Sequence, residues 1–201
     1  MEVLDAIKRR KSVRFYTRQE ISQDNVQKLI DAARWAPSGH RVYARKLIVV
    51  QSQELIRRIK AVSPGLHDGP VALMILCRDK NREKEVLENP VPSGNEEVYL
   101  EKLEKEGFSE ARAKLMTGRD IAISAQNICL EATALGIGSC MVGKFDHNAV
   151  RKLLNLPEYI EPDLFVALGY RDTPADVAYL RRAEPLPMRN RAKDILVGWI
   201  K

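Results

Sequence analysis

One globular domain that mixes helices with buried strands is the fold class the sequence predicts, on three observations. The chain has 201 residues, within the ~100–250 that one core typically serves. At 45% hydrophobic and 30% charged residues, it has the composition of a soluble globule and not of a disordered or fibrous chain. Segments of helical period surround two short, β-rich apolar runs, Lys46–Val50 and Val71–Cys77, of the kind found in strands covered on both faces. No internal repeat or low-complexity linker divides the chain, so residues 1–201 read as a single domain.

Taken in order, Glu2–Arg10 is a short helix presenting Val3, Leu4 and Ile7. Gln23–Trp35 is a stronger one, with Val26, Leu29, Ile30 and Ala33 at helical spacing. Ser22 suits its N-cap, Ile21 can staple onto Val26, and Pro37 sets its end. The helix Gln53–Val62 separates the two apolar strands. Residues 81–118 are charged and poor in β-branched types, and read as a variable helical insert containing a short surface helix at 96–106. Arg119–Leu135 is the central helix, with Ile121, Ala125, Ile128, Ala132 and Leu135 in one stripe and Gly136 ending it. A strand at Ser139–Gly143, a helix Asp146–Asn155 and a strand Leu164–Gly169 follow. The last thirty residues contain Pro174, Pro185 and Pro187 and read as an extended arm, with little sign of a helix before Asp194.

The charge is unevenly placed. Of 33 Lys and Arg against 27 Asp and Glu, six basic residues and no acid lie in Lys8–Arg18, so the rest of the chain is balanced. That window is a candidate site for an anion. Met1–Tyr16 lacks the apolar core of a secretory signal, and no run reaches the ~18–20 apolar residues of a membrane helix. Three cysteines without a CxxC pair argue against a secreted disulfide framework, and a reducing cytoplasm is the expected compartment.

Metal and nucleophile chemistry fit poorly. His40, His67 and His147 lack metal-ligand spacing, and there is no GxSxG elbow. The cysteines sit in apolar segments and read as small hydrophobes. Gly136-Ile137-Gly138 follows a helix and precedes a strand, the reverse of a dinucleotide fingerprint. Arg10-Lys11-Ser12-Val13-Arg14 remains. Arginine forks and a serine hydroxyl suit phosphate, and alternation in an extended segment puts Ser12 and Arg14 on one side. The plainer alternative is a solvated basic helix end. A second basic group, Arg189-Asn190-Arg191, lies in the arm. The Ala36–His40 loop reads either as a helix stop or as a ligand contact. The passage Leu135–Phe145, with three glycines, reads either as close backbone packing or as amides open to a flat ligand.

Together these stations resemble the FMN-dependent nitroreductase family: Ile7–Arg14, Ala32–Gly39, Asp120 with Gln126–Ala132, Gly136–Phe145, Val166–Tyr170 and the terminal Arg-x-Arg. The resemblance implies an α+β fold, a mixed central sheet flanked by helices, in an intertwined homodimer whose C-terminal arms are exchanged. It implies FMN at the dimer interface, NADH or NADPH as reductant and a small-molecule electron acceptor. Arg10, Lys11 and Ser12 fall on the phosphate motif, with Arg189 and Arg191 on its terminal counterpart. Arg14 would lie at the N1/C2=O edge of the flavin as an electrostatic stabiliser. Pro37, Ser38 and Gly39 fall on the loop that reaches FMN from the other subunit, and Met141, Val142, Gly143 and Lys144 on the strand beside N5.

The sequence departs from the family in two places. Where the usual run after Pro-Ser-Gly is close to x-Asn-x-Gln-Pro-Trp, this chain has His40-Arg41-Val42-Tyr43-Ala44-Arg45, so Arg41 is the candidate substitute for the asparagine contact. Where many relatives have Gly-Gly, it has Gly143-Lys144. Two alternatives stay open. One is a flavin-binding, sensing or flavin-remodelling protein without reductase turnover, which steady NAD(P)H consumption with an added acceptor would exclude. The other is a nucleic-acid binder using Lys8–Arg18, which no helix-turn-helix, finger or aromatic RNA motif supports.

Overall fold

A computed structural model describes residues 1–39, 42–88 and 110–182. Its centre is a four-stranded sheet of β1 (Arg45–Val50), β2 (Ala72–Asp79), β3 (Gly138–Val142) and β4 (Ile160–Gly169), in the order β1-β2-β4-β3. These strands pair antiparallel throughout; a parallel pairing occurs at the isolated Ser12–Ser139 bridge.

Alternation along β2 assigns its side chains to two cores. Ala72, Met74 and Leu76 face one layer, built on α2 (Gln23–Arg34) and the long helix α5 (Glu110–Ala134). Leu73, Ile75 and Cys77 face the other, built on α3 (Gln53–Ala61) and α6 (His147–Leu153). Every residue of β2 is buried. Its uninterrupted apolar run therefore reflects cover on both faces, with antiparallel neighbours on each side. β4 splits in the same way: Val166 and Leu168 join the first core, Phe165 and Ala167 the second.

Local signals behave as their chemistry requires. Ser22 accepts the Asn25 amide at 3.3 Å, while Ile21 and Val26 are buried together in the first core. Ser52 and Asp146 cap α3 and α6 in the same manner. Gly136, at φ 73°, ends α5 in the left-handed conformation. α1 (Val3–Arg9) buries Ala6 but leaves Val3, Leu4 and Ile7 exposed.

Two expectations fail. α5 begins at Glu110 and not at Arg119. A Cβ at Gly118 would meet nothing within 4 Å, so the helix runs through this glycine, at a cost of about 1 kcal/mol relative to alanine. Ala113 and Thr117 in the added turns are buried, and Met116 packs on Val42, Ala44 and Val86. The described parts of 81–118 are thus the rest of α4 (Lys80–Glu88) and the start of α5.

The second failure is in the C-terminal segment, where Thr173–Arg182 forms α7 and not an extended arm. Pro174 stands in the first turn, where its missing N–H leaves no bond unmade. Asp172 accepts the Ala175 amide at 3.2 Å, and the buried Asp176 is held by the Arg14 amide and the Arg171 guanidinium. The surface helix expected at 96–106, and His40, Arg41, Arg189 and Arg191, lie outside the described residues, as does any exchange of the C-terminal arm.

Candidate functional site

Residues 12–17 form an extended strap that joins the N-terminus to the sheet. The Val13 amide donates to Ser139 at 2.9 Å, Thr17 to Tyr170 at 2.8 Å, and Asp172 returns a bond to Phe15 at 2.9 Å. Val13 and Tyr16 are buried, whereas Ser12 and Arg14 are half-buried. Buried Tyr16 donates its hydroxyl to the Val13 carbonyl at 2.5 Å, with the Ala167 carbonyl further off at 3.2 Å, and burial raises its pKa.

The strap brings the first basic motif against β3. Arg10 stands at the C-terminal end of α1, its amide bonded to Ala6, and Lys11 is exposed. Ser12 meets the Cys140 thiol, and Arg10 and Arg14 both act electrostatically on it. Burial raises the pKa of Cys129 and Cys140, and pushes that of Cys77 up to about 12. None of these thiols is poised as a nucleophile, so they pack as small hydrophobes. Among the described residues, no carboxylate pairs with the side chains of Arg10, Lys11 or Arg14. Arg14 instead lies over the Tyr179 ring, 5.5 Å from its centroid.

A crevice too tight for a water molecule lies here, lined by Arg14, Gly65, His67, Cys140 and Val142 with Tyr16 and Ala167. The glycines of the 136–143 passage divide between the two readings open to them. A Cβ at Gly138 would come within 2.9 Å of Val13 Cγ1 and 3.0 Å of the Gly169 carbonyl, so Gly138 is needed for packing. At Gly143 the nearest atom would be Leu164 Cδ1 at 3.8 Å. The chain's own packing does not require glycine there, and space remains beside the backbone. Met141 and Lys144 are exposed and Val142 is buried, so the lysine side chain points away from the core.

The Pro37–Gly39 loop belongs to a different neighbourhood. Pro37 and Gly39 are exposed and Ser38 is half-buried; Ser38 and Gly39 are both bonded to the Asp120 carboxylate of α5. Asp120, Ser124 and Asn127 form the face of α5 turned to α2, where Ser124 and Asn127 donate to the Ala33 and Ala32 carbonyls. Cys129, which lies beside the first motif, is nine residues beyond Asp120. At 3.6 residues per turn and 1.5 Å rise, that is about 13 Å along the axis and on the opposite side of the helix. The described chain thus sets Ser12 against Ser139, Arg10 and Arg14 close to Cys140, and Arg14 in one crevice with Val142; the Pro37–Gly39 loop has its partners in Asp120 and Arg45 instead.

Sequence reasoning missed Asp120, Arg45, His67, Asp176 and Tyr179 as members of these neighbourhoods. For Asp120 a signal existed: it is a carboxylate immediately beside the apolar stripe of a central helix. The partners of His67 and Tyr179 and the Arg14 amide on Asp176 are distant in sequence, while Arg45 and Arg171 reach partners five to nine residues away without a recognisable motif.

Among the described residues no cluster of His, Cys, Asp and Glu could hold a metal, and no helix is long and apolar enough to cross a membrane. Half-paired cations, an open glycine and a phosphate-type motif fit an anionic, flat ligand of the FMN kind. The comparisons with known proteins agree with that fit. A Methanothermobacter thermautotrophicus protein carrying the name NADH dehydrogenase/NAD(P)H nitroreductase is 30% identical over 177 residues, which cover 85% of this chain and 78% of that protein. The FMN reductase (NAD(P)H) of Bacillus subtilis is 27% identical over 180 residues, covering 87% and 67%. In structure, a nitroreductase family protein from Streptococcus pneumoniae superposes with a TM-score of 0.68 at 22% identity over 85% of this chain and 91% of that one, a likeness of fold alone. Residues 7–170, from the first basic motif to the end of β4, match the nitroreductase family, and the chain belongs to it.

Proposed function

We propose that this chain is an FMN-dependent NAD(P)H oxidoreductase, acting as a homodimer on a small organic acceptor such as a nitroaromatic or quinone. The observation that carries the reading is the set of cations at Arg10–Arg14 without carboxylate partners among the described residues, held to β3 through the Ser12–Ser139 bridge, with open space at Gly143 just beyond that strand. Arg10 and Ser12 would hold the ribityl phosphate, joined by Lys11 and by Arg189 and Arg191 of the C-terminal segment. Arg14 would place its charge at the N1/C2=O edge of the ring, and the Met141–Lys144 backbone would line the N5 side. When bound, FMN would supply the redox chemistry between reduced nicotinamide and the acceptor. The chain's own tasks are to bind, to orient and to aim Arg14 where negative charge develops.

Homodimer formation is supported by the separation of the two half-sites on opposite sides of α5, which favours a loop serving the partner's cofactor. The exposed apolar face of α1 (Val3, Leu4, Ile7) and Trp35, which is 86% exposed, would be covered by a second copy.

The test is the visible spectrum and solution mass of the purified chain. A yellow dimer that releases FMN and consumes NAD(P)H steadily with an added nitroarene or quinone is expected. A colourless monomer would sink the proposal, and a yellow protein without turnover would reduce it to flavin binding. Because NAD(P)H and acceptor would use one pocket in turn, double-reciprocal plots should be parallel; intersecting lines would exclude that order of events.

A further inference from the structure

The Pro37–Gly39 loop is gripped from two sides by side chains of other elements. On one side, Ser38 Oγ donates to Asp120 Oδ2 at 2.5 Å and accepts the Tyr43 amide at 3.0 Å, while the Gly39 amide donates to Asp120 Oδ1 at 3.1 Å. A hydroxyl carries one proton. With that proton on Asp120, Ser38 has none to offer a ligand. On the other side, the Arg45 guanidinium donates to the Pro37 carbonyl at 3.1 Å and to the Ala36 carbonyl, and it lies 3.9 Å from Asp120. Both side chains are almost fully buried, at 10% and 6% exposure. A planar fork can serve two adjacent carbonyls and still face a carboxylate, whereas a lysine ammonium is a single point charge.

Tyr43 contributes to the same grip. It adopts φ 48°, a left-handed conformation uncommon for a residue with a side chain, and its amide ends on Ser38 Oγ.

We propose that Asp120 and Arg45 are positioning residues for bound FMN: they fix the Pro37–Gly39 loop in the shape that meets the cofactor, and Ser38 serves that shape and gives no hydrogen bond to the flavin. The inference rests on the FMN-binding reading above. It separates two roles that the motif alone leaves merged, a serine that touches the ligand and a serine that holds the loop.

A double-mutant cycle on FMN affinity tests it. Apo-protein is titrated with FMN by quenching of flavin fluorescence, the visible band of bound flavin is recorded, and melting of the apo-protein is the control. S38A and D120A are each expected to raise the Kd about tenfold, and the double variant no further, because both remove one grip. R45K, which keeps the charge but loses the fork, is expected to raise the Kd roughly threefold to tenfold and to shift the flavin band. If D120A does not fold, D120N takes its place in the cycle, since its amide keeps the volume and one acceptor. Additive effects of S38A and the Asp120 variant would overturn the proposal, because Ser38 would then touch the flavin independently. So would variants that melt lower yet keep wild-type Kd and spectrum, which is what a purely structural grip gives. A wild-type chain that binds no FMN would overturn this proposal together with the function it rests on.

Discussion

The Arg10–Arg14 segment and the Pro37–Gly39 loop both lie against α5, but they use their polar groups in opposite ways. In the first, the amides of Arg10, Val13 and Arg14 are bonded to Ala6, Ser139 and Asp176 while the cationic side chains have no carboxylate among the described residues. In the second, the side chains of Ser38, Arg45 and Asp120 and the amide of Gly39 all bond to one another or to the loop backbone. Buried polar groups must be paired, whereas exposed cations can wait in water at little cost. A segment that leaves charge unpaired is equipped to bind an anion. A segment that satisfies itself is equipped to keep a shape.

The sharpest way to break this contrast is to remove a waiting cation. Arg10→Ala is expected to weaken FMN binding by one to two decades, the worth of a charge-assisted hydrogen bond of ~1.5–3 kcal/mol. Apo-protein melting should change little, because no ion pair among the described residues is lost with it. Unchanged FMN affinity, measured by the same fluorescence titration, would remove Arg10 from the phosphate site.

The two glycines of the β3 passage sharpen it further. Gly138→Ala forces a methyl into Val13 and the Gly169 carbonyl, and such overpacking costs about 1–3 kcal/mol. For a chain of this size that is roughly 2–4 °C of melting temperature per kcal/mol. Gly143→Ala meets only Leu164 at 3.8 Å, so its melting should match the wild type while its FMN affinity falls. Equal melting losses in the two variants would erase the distinction between a packing glycine and a ligand-facing one.

Legibility in the sequence followed the same division. The strands β1 and β2, the helices α2 and α3 and the caps at Ser22 and Gly136 were readable because their causes are local: periodicity, a hydroxyl one residue before a helix, a glycine after one. The basic motif was readable because unpaired charge shows in composition. Helix α7 carried local start signals, Asp172 as a cap and Pro174 in the first turn, but Pro174, Pro185 and Pro187 together read as an extended arm, and the bond that ties Asp176 to the Arg14 amide spans 162 residues. The loop grip was not readable. Arg45 looks in sequence like an edge-strand cation, and only the fold shows it facing the carbonyls of Ala36 and Pro37. The dual cover of β2 was legible, while its antiparallel pairing was not, since a continuous apolar run records burial and not direction.

The smallest expected effect comes from His67, which reports on the unpaired charge of Arg14. Its ring packs 5.0 Å from Tyr179 and 5.8 Å from Phe15, in the crevice that Arg14 lines. Burial lowers its pKa below the ordinary 6.5, and the Arg14 guanidinium lowers it further; Lys60 adds to this while Asp68 and Asp176 oppose it. The neutral ring is therefore favoured on folding, and just below pH 6.5 the unfolded chain binds more protons than the folded one. Stability then rises with pH through that window and falls as the pH drops below it, a slope that His67→Gln should flatten slightly because the ring is only partly buried. Arg14→Gln removes the second cause and leaves the first, so the imidazole pKa, followed by NMR, should move part of the way back toward 6.5. If it does not move, the charge of Arg14 is directed away from the crevice, and its proposed place at the flavin edge loses its electrostatic basis.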